Sequence, residues 1–389
     1  MIEKLMTSNL KLGIIAGGQL GKMLIQEASK WDIITYVLDN DENCPASKIA
    51  TYYVKGSHLD YEAVYNFGKL VDVLTYEIEN INIQALKKLK SEGFIIVPDP
   101  DILELIQDKG LQKEFYLKNN IPTPFFRIYK SKDDIINGIE KKEISFPFIQ
   151  KIRKGGYDGR GVVVVNSKND LKYLLNGESV IEEKIEIDRE IAVIAARNKN
   201  NEIKCFPVVE MIFNDKANLV EKIFFPSSIK PEQSEEAINI ASKLIQLLQI
   251  EGLLAVEFFV DVKGSVLVNE IAPRPHNSGH LTIEGAITSQ FEQHIRAILN
   301  LPLGSTEMKM PSVMINILGM EEHEGPVVYE NLEKCLAIEG AKIHLYGKKI
   351  TKPYRKMGHI TILSNTLENA FEKAEKIKKL LKVKSWKKN

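Results

Sequence analysis

At 389 residues the chain is too long for one small core and implies two or three domains. Its 44% hydrophobic and 27% charged residues are ordinary for a soluble globular protein, and the 52 basic and 52 acidic side chains give net charge no argument for a nucleic-acid or membrane partner. No apolar run reaches the ~18 residues of a spanning helix, the first nine residues lack a signal-peptide core, and Cys44, Cys205 and Cys335 have no CxxC spacing, a pattern that fits a reduced cytoplasm.

The first third alternates strands and helices. Strands are expected over Lys11–Gly17, Ile33–Leu38, Val71–Tyr76 and Phe94–Val97, with a helix opening at Leu20, where apolar residues recur at Met23, Leu24, Ala28 and Trp31. This rhythm implies a doubly wound parallel sheet, with ligands at the carboxyl ends of its strands. The turn Ala16-Gly17-Gly18-Gln19-Leu20-Gly21, with Asp39 at the end of the second strand, is an imperfect dinucleotide fingerprint. It leaves open a nicotinamide dehydrogenase, a phosphate site of another kind, and a close helix–strand approach without any ligand.

A helix from Asp101 to Asn119 leads to the linker Ile121-Pro122-Thr123-Pro124, beyond which hairpins replace the βαβ rhythm. Strands Phe146–Lys151 and Val162–Val165 flank a loop with four glycines between 155 and 161. Glycine is entropically costly, so such a loop reads as a flap that wraps a ligand closely, most simply phosphate; a long hairpin loop is the alternative. A short strand over Ser179–Ile185 follows, then Arg189–Arg197 pairing with Ile203–Phe213 across Asn198–Asn201, and an amphipathic helix over Glu235–Leu248.

Next come two β-branched and aromatic runs, Val256–Asp261 and Ser265–Glu270, around the turn signal Lys263-Gly264. An even-length turn there sets Glu257 directly opposite Glu270. Like charges facing each other across a ladder are destabilising, which points to a cation between them. Two hard carboxylates with room for phosphate oxygens describe a Mg²⁺-nucleotide site; two exposed glutamates are the alternative. After Leu301-Pro302-Leu303-Gly304 a third unit is expected, with strands Ser312–Leu318, 341–346 and 359–363, a helix over Leu367–Leu381 and a lysine-rich tail.

Three blocks together resemble the ATP-grasp superfamily over essentially the whole chain and, within it, the N5-carboxyaminoimidazole ribonucleotide synthases: Gly17–Met23, Gly155–Gly161, and Asn269-Glu270-Ile271-Ala272-Pro273-Arg274-Pro275-His276-Asn277-Ser278-Gly279-His280. The resemblance implies a mixed α/β and α+β architecture: a Rossmann-like parallel domain over 1–108, an ATP-grasp domain over 109–304 and a small β-rich domain over 305–389. It implies ATP and Mg²⁺ as cofactors. Lys109, Lys151 and the flap Gly156, Tyr157, Asp158, Gly159, Arg160, Gly161 and Val162 would hold the phosphates, and Glu182, Glu183, Lys184 and Ile185 the adenine. Glu190 would take the ribose, and Glu257 and Glu270 the magnesium beside Asn269. For the ribonucleotide it implies Gln19, Leu20, Glu77, Tyr157, Asp158, Arg160, Arg274, His276, Asn277, Ser278, Lys348, Arg355 and Lys356, with Arg274 and His276 closest to the chemistry.

The implied reaction is ATP-dependent carboxylation of 5-aminoimidazole ribonucleotide with bicarbonate through carboxyphosphate, by a cytoplasmic homodimer of purine biosynthesis. The chain departs from the family pattern at Glu210-Met211-Ile212-Phe213, where many members carry Glu-Asn-x-His, so Phe213 can only pack against the nucleotide. Ala16 replaces the first glycine of the opening turn, and Lys109 stands where some relatives have arginine. Two rivals accompany the dehydrogenase reading. One is the sister enzyme that activates formate for glycinamide ribonucleotide, which lacks the Tyr-Asp-Gly-Arg loop. The other is a silent nucleotide-binding module, opposed by intact Glu257, Glu270 and Lys151.

Overall fold

The computed structural model describes residues 6–156, 161–214 and 219–386. Its N-terminal part is a five-stranded parallel sheet in the order Tyr52–Lys55, Ile34–Asp39, Lys11–Ile15, Val73–Tyr76, Ile95–Ile96. The central strand Lys11–Ile15 is buried along nearly its whole length, as a strand covered by helices on both faces must be. Among the described residues no helix is long and apolar enough to cross a membrane.

The helix expected over Asp101–Asn119 is two, Pro100–Gln107 and Lys109–Lys118. Asp108 breaks it: in an extended conformation, its carboxylate accepts from the N–H groups of Gly110 and Leu111 and so caps the second helix. Asp108 also accepts from Arg153 Nε at 2.5 Å, tying the start of the glycine loop to the start of that helix.

A four-stranded sheet in the order Phe126–Tyr129, Ser179–Glu183, Phe148–Ile152, Val162–Val165 carries the glycine loop between its last two strands. The largest sheet is antiparallel and runs Val266–Ala272, Gly252–Asp261, Ile187–Arg197, Val209–Asn214, Leu219–Phe225, Ser312–Leu318, Lys356–Leu363, Ala341–Leu345. The expected strand Ile203–Phe213 is interrupted, into Ile203–Cys205 and Val209–Asn214, because Pro207 has no N–H to give the ladder. Strand Leu219–Phe225 was not anticipated, and it pairs with Ser312–Leu318, so the strands beyond residue 305 extend the central sheet. The lysine-rich end likewise forms a strand, Lys382–Ser385, against Gly325–Glu330.

Helix Pro231–Leu247 starts four residues earlier than its apolar period suggests, with proline at its first position, where no N–H is needed. Its Ala237, Ala241, Leu244 and Ile245 pack on Ile191, Val193, Leu254 and Val256 of the large sheet. Helix Gln290–Ile298 joins the two major sheets: Phe291, Ile295 and Ile298 pack with Leu12, Met23 and Leu24, and His294 Nε2 lies 3.0 Å from Thr75 Oγ1 at a buried seam.

Candidate active site

The hairpin Gly252–Asp261/Val266–Ala272 does set Glu257 against Glu270, by a different route from the one expected. Its turn is odd. Asp261 bonds Ser265 O, Gly264 takes φ +90°, and the pairs near the turn are Val260 with Val266 and Phe258 with Val268. A register shift between Glu257 and Phe258 leaves Asn269 as the extra residue, and this bulge brings Glu270 opposite Glu257. Glu190 lies two residues along from Ala192, the partner of Glu257 on the neighbouring strand, and so shares its face.

These carboxylates feel one another. Burial pushes the Glu257 carboxyl up to about 8, with Glu270 and Glu190 adding to the rise and Lys356 and Arg274 opposing it. Burial alone lifts Glu190 to about 7. Surplus negative charge on a hard-oxygen donor set suits a divalent cation. Among the described residues no group of three or more His, Cys, Asp or Glu side chains is placed to hold a metal unaided, so such an ion would draw further ligands from phosphate and water.

Opposite the carboxylates stand lysines. Lys109 Nζ is 3.6 Å from Glu270 Oε2. Lys151 Nζ is 2.8 Å from Glu182 Oε2 and donates to Asn269 Oδ1 at 3.0 Å. Glu182 therefore does not present its side chain to a base. It is buried between Lys151 and Lys113, whose Nζ is 2.8 Å from its other oxygen. Burial opposes its ionisation, yet the two ammonium groups hold it at about 2. Lys113 escaped the sequence reading; its signal was the i, i+4 spacing from Lys109 on one helix. Glu183 is exposed with its N–H on Phe125 O, Lys184 Nζ reaches Asn166 Oδ1, and Ile185 is half-buried just past the strand end. Phe213 packs with Met211, Leu281 and Met314.

A cavity of about 820 Å³ opens between the parallel sheet, the glycine loop and the segment 270–280, and Gln19, Leu20, Lys109, Gly156, Arg274, His276, Asn277 and Lys356 are among its lining. Gly161 O receives the Ile152 N–H, closing the loop at its base, and Val162 pairs with Lys151. Tyr157, Asp158, Gly159 and Arg160 lie outside the described residues. Lys348 Nζ donates to Lys356 O, whereas the Arg355 guanidinium is turned to Ile350 O.

Glu77 lines the cavity, but both its oxygens are engaged: one accepts from Gly18 N–H, the other from Gly21 N–H at 2.5 Å. Asp39 accepts from Gly17 N–H at 2.8 Å. The N–H groups that a dinucleotide pyrophosphate would need are thus taken by the chain's own carboxylates, which removes the dehydrogenase reading. Ala16 sits at φ +69°, the left-handed region that explains the glycine found there in the fingerprint.

Arg274 is ion-paired with Glu79 at 2.8 Å, a partner two residues beyond Glu77 that was also missed. His276 Nδ1 lies 2.9 Å from Ser278 Oγ and accepts from Ser278 N–H, which leaves the ring proton on Nε2. Burial, then Arg274 and Lys356, holds this imidazole neutral, far below its ordinary value. Asn277 and Asn316 exchange amide hydrogen bonds, and Gln290 grips the backbone of His276 at both N–H and C=O. The segment is a rigid platform.

Comparison with known proteins agrees with this geometry. Residues 9–107 match the ribonucleotide synthetase preATP-grasp domain, 114–291 the ATP-grasp domain, and 312–373 the phosphoribosylaminoimidazole carboxylase C-terminal domain. The chain is 36% identical over 378 residues to the N5-carboxyaminoimidazole ribonucleotide synthase of Aquifex aeolicus, covering 96% of this chain and 97% of that protein. It superimposes on the crystal structure of the corresponding synthetase of Thermotoga maritima with a TM-score of 0.89 at 46% identity, covering 97% of this chain and all of that one. The Aspergillus clavatus synthase in complex with ADP and 5-aminoimidazole ribonucleotide gives 0.87 at 34% identity, covering 96% and 98%. The chain belongs to the N5-carboxyaminoimidazole ribonucleotide synthases, ATP-grasp ligases of purine biosynthesis.

Proposed function

We propose that this chain carboxylates 5-aminoimidazole ribonucleotide at its amine, using bicarbonate and ATP, with the residue roles that follow. The observation that carries the assignment of roles is the single stretch Glu257–His280, which joins the Glu257–Glu270 pair and the lysine-bound bulge at Asn269 to Glu270, Arg274, His276 and Asn277 in the cavity wall.

Bicarbonate is a poor electrophile, and phosphorylation by ATP turns it into carboxyphosphate, which releases CO₂ beside the amine. Most of the catalytic work is then positioning and charge stabilisation. Lys109 and Lys151 face the γ-phosphoryl group, and the loop from Gly156 to Val162 covers it against water. Glu183 to Ile185 hold the adenine, and Glu190 accepts from the ribose hydroxyls. Glu257 and Glu270 would hold Mg²⁺, which would supply charge neutralisation for the phosphates.

On the acceptor side, Lys356 and Lys348 take the 5′-phosphate, with Arg355 behind them. Gln19, Leu20, Asn277 and Ser278 position the ribonucleotide. Arg274, held by Glu79 through Nη2 and by Pro275 O through Nη1, sets its positive charge beside bicarbonate. His276, neutral with its proton on Nε2, is set to donate a hydrogen bond to the forming carbamate. The family pattern supports a homodimer, and three unpaired cysteines among the described residues support a reducing cytoplasm.

The deciding measurement is ADP release with 5-aminoimidazole ribonucleotide and bicarbonate, with formate and glycinamide ribonucleotide as the control pair. Stimulation by the first pair alone is expected; stimulation by the control pair alone would overturn the substrate assignment.

A further inference from the structure

One turn along the helix from Lys109, which lines the cavity, lies a buried three-membered charge cluster. Glu182 is 1% exposed, Lys113 4% and Lys151 13%. One carboxylate is shared by two ammonium groups, each at 2.8 Å from a different oxygen, so the cluster carries one net positive charge. Were Lys151 the only partner of Glu182, the pair would be neutral and its attraction for an anion largely cancelled.

Lys113 is fixed on its other side. Its Nζ donates to Thr123 Oγ1 at 2.5 Å, and that hydroxyl donates to Val268 O, next to the bulged Asn269 that Lys151 grips. The rings of Tyr116 and Phe126 lie 5.9 and 6.0 Å from the ammonium, completing an otherwise apolar shell. Taking a lysine out of water is expensive, and a methionine of similar length would fill this space at lower cost. Local packing alone does not account for a cation here.

We propose that Lys113 is a positioning residue that neutralises Glu182 and so leaves the charge of Lys151 available to the nucleotide's phosphates. This rests on the reading of Lys151 as a phosphate contact. Lys113 acts through Glu182 and touches no substrate itself.

The test is calorimetric binding of ADP with Mg²⁺ to the full chain in five forms: wild type, K113M, E182Q, K113M/E182Q and K151M. K113M removes the surplus charge and is expected to bind ADP about tenfold more weakly. It loses the ammonium that faces Glu182 Oε1 and is expected to melt somewhat lower than wild type while still folding. K113M/E182Q restores one net positive charge and is expected to recover most of the lost affinity, which a packing defect would not do. KM for the ribonucleotide should stay unchanged in K113M while KM for ATP rises. Wild-type ADP affinity in K113M, or a double variant weaker than K113M, overturns the proposal. Should K113M fail to fold, K113Q carries the same charge change with a polar head and the same expectations. Undiminished affinity in K151M would instead remove the phosphate reading on which the inference rests, whereas loss in K151M with normal binding in K113M removes only the role of Lys113.

Discussion

Replacing Glu77 by alanine tests how the opening turn is held. Glu77 is 3% exposed, and its two oxygens accept from the N–H groups of Gly18 and Gly21 at the start of helix Gln19–Ala28. Removing the carboxylate leaves two donors without partners beside a helix N-terminus. An orphaned buried donor costs about 1–3 kcal/mol, so Glu77→Ala should lose roughly 3–4 kcal/mol in urea-induced unfolding. Burial raises this carboxyl above its ordinary value while the two N–H groups oppose the rise. A group with a raised folded-state pKa contributes most below its unfolded pKa and less as pH rises through the folded one, so the loss should be larger at pH 5 than at pH 8. The vacated pocket also matches a small carboxylate. Formate at about ten times its Kd should return roughly 1.4 kcal/mol to the variant and nothing to the wild type. A variant within ~1 kcal/mol of wild type, indifferent to formate, would refute the view that Glu77 acts as the turn's internal hydrogen-bond acceptor.

Ala16, at φ +69°, should be improved by glycine: relief of left-handed strain outweighs the added chain entropy, and Ala16→Gly is expected to gain about 0.5–1 kcal/mol in the same unfolding assay, a loss being the contrary result. Glu190, raised to about 7 by burial, accepts from both ribose hydroxyls with its full strength only when ionised. ADP affinity should therefore climb between pH 6 and pH 8, by up to about tenfold, and Glu190→Gln should flatten that slope; an unchanged slope in the variant would place the titration elsewhere. Glu270→Gln should abolish turnover and the Mg²⁺ dependence of ADP binding while leaving the melting temperature within a few degrees, because its side chain is 55% exposed. Full activity in that variant removes it from the metal site.

Local signals carried most of the architecture. The βαβ rhythm before residue 100, the strands flanking the glycine loop and the hairpin at Lys263-Gly264 are set by residue periodicity and turn chemistry over short spans, and each forms where expected. The pairing of Glu257 with Glu270 is instructive. An even turn was assumed, the turn is odd, and the bulge at Asn269 restores the pairing. Residue spacing alone cannot separate these two hairpins, because a turn and a bulge shift the register by the same single residue. Similarly, no local signal marks Asp108 as a helix break rather than a surface acid; its role depends on Arg153, which is distant in sequence and adjacent only in space.

By itself, then, the sequence determined which elements form, where the glycines loosen the chain, and which family the three motif blocks resemble. The tertiary structure alone decided how the charges are shared. Glu182 lies between Lys113 and Lys151, Glu77 fills the first turn, Glu79 holds Arg274, and the strands beyond residue 305 join the central sheet. For the three charge placements the physical reason is common: burial removes competing water, so a charged group must take whichever partner the fold brings near, and that choice, like the pairing of distant strands, is written in no short stretch of chain.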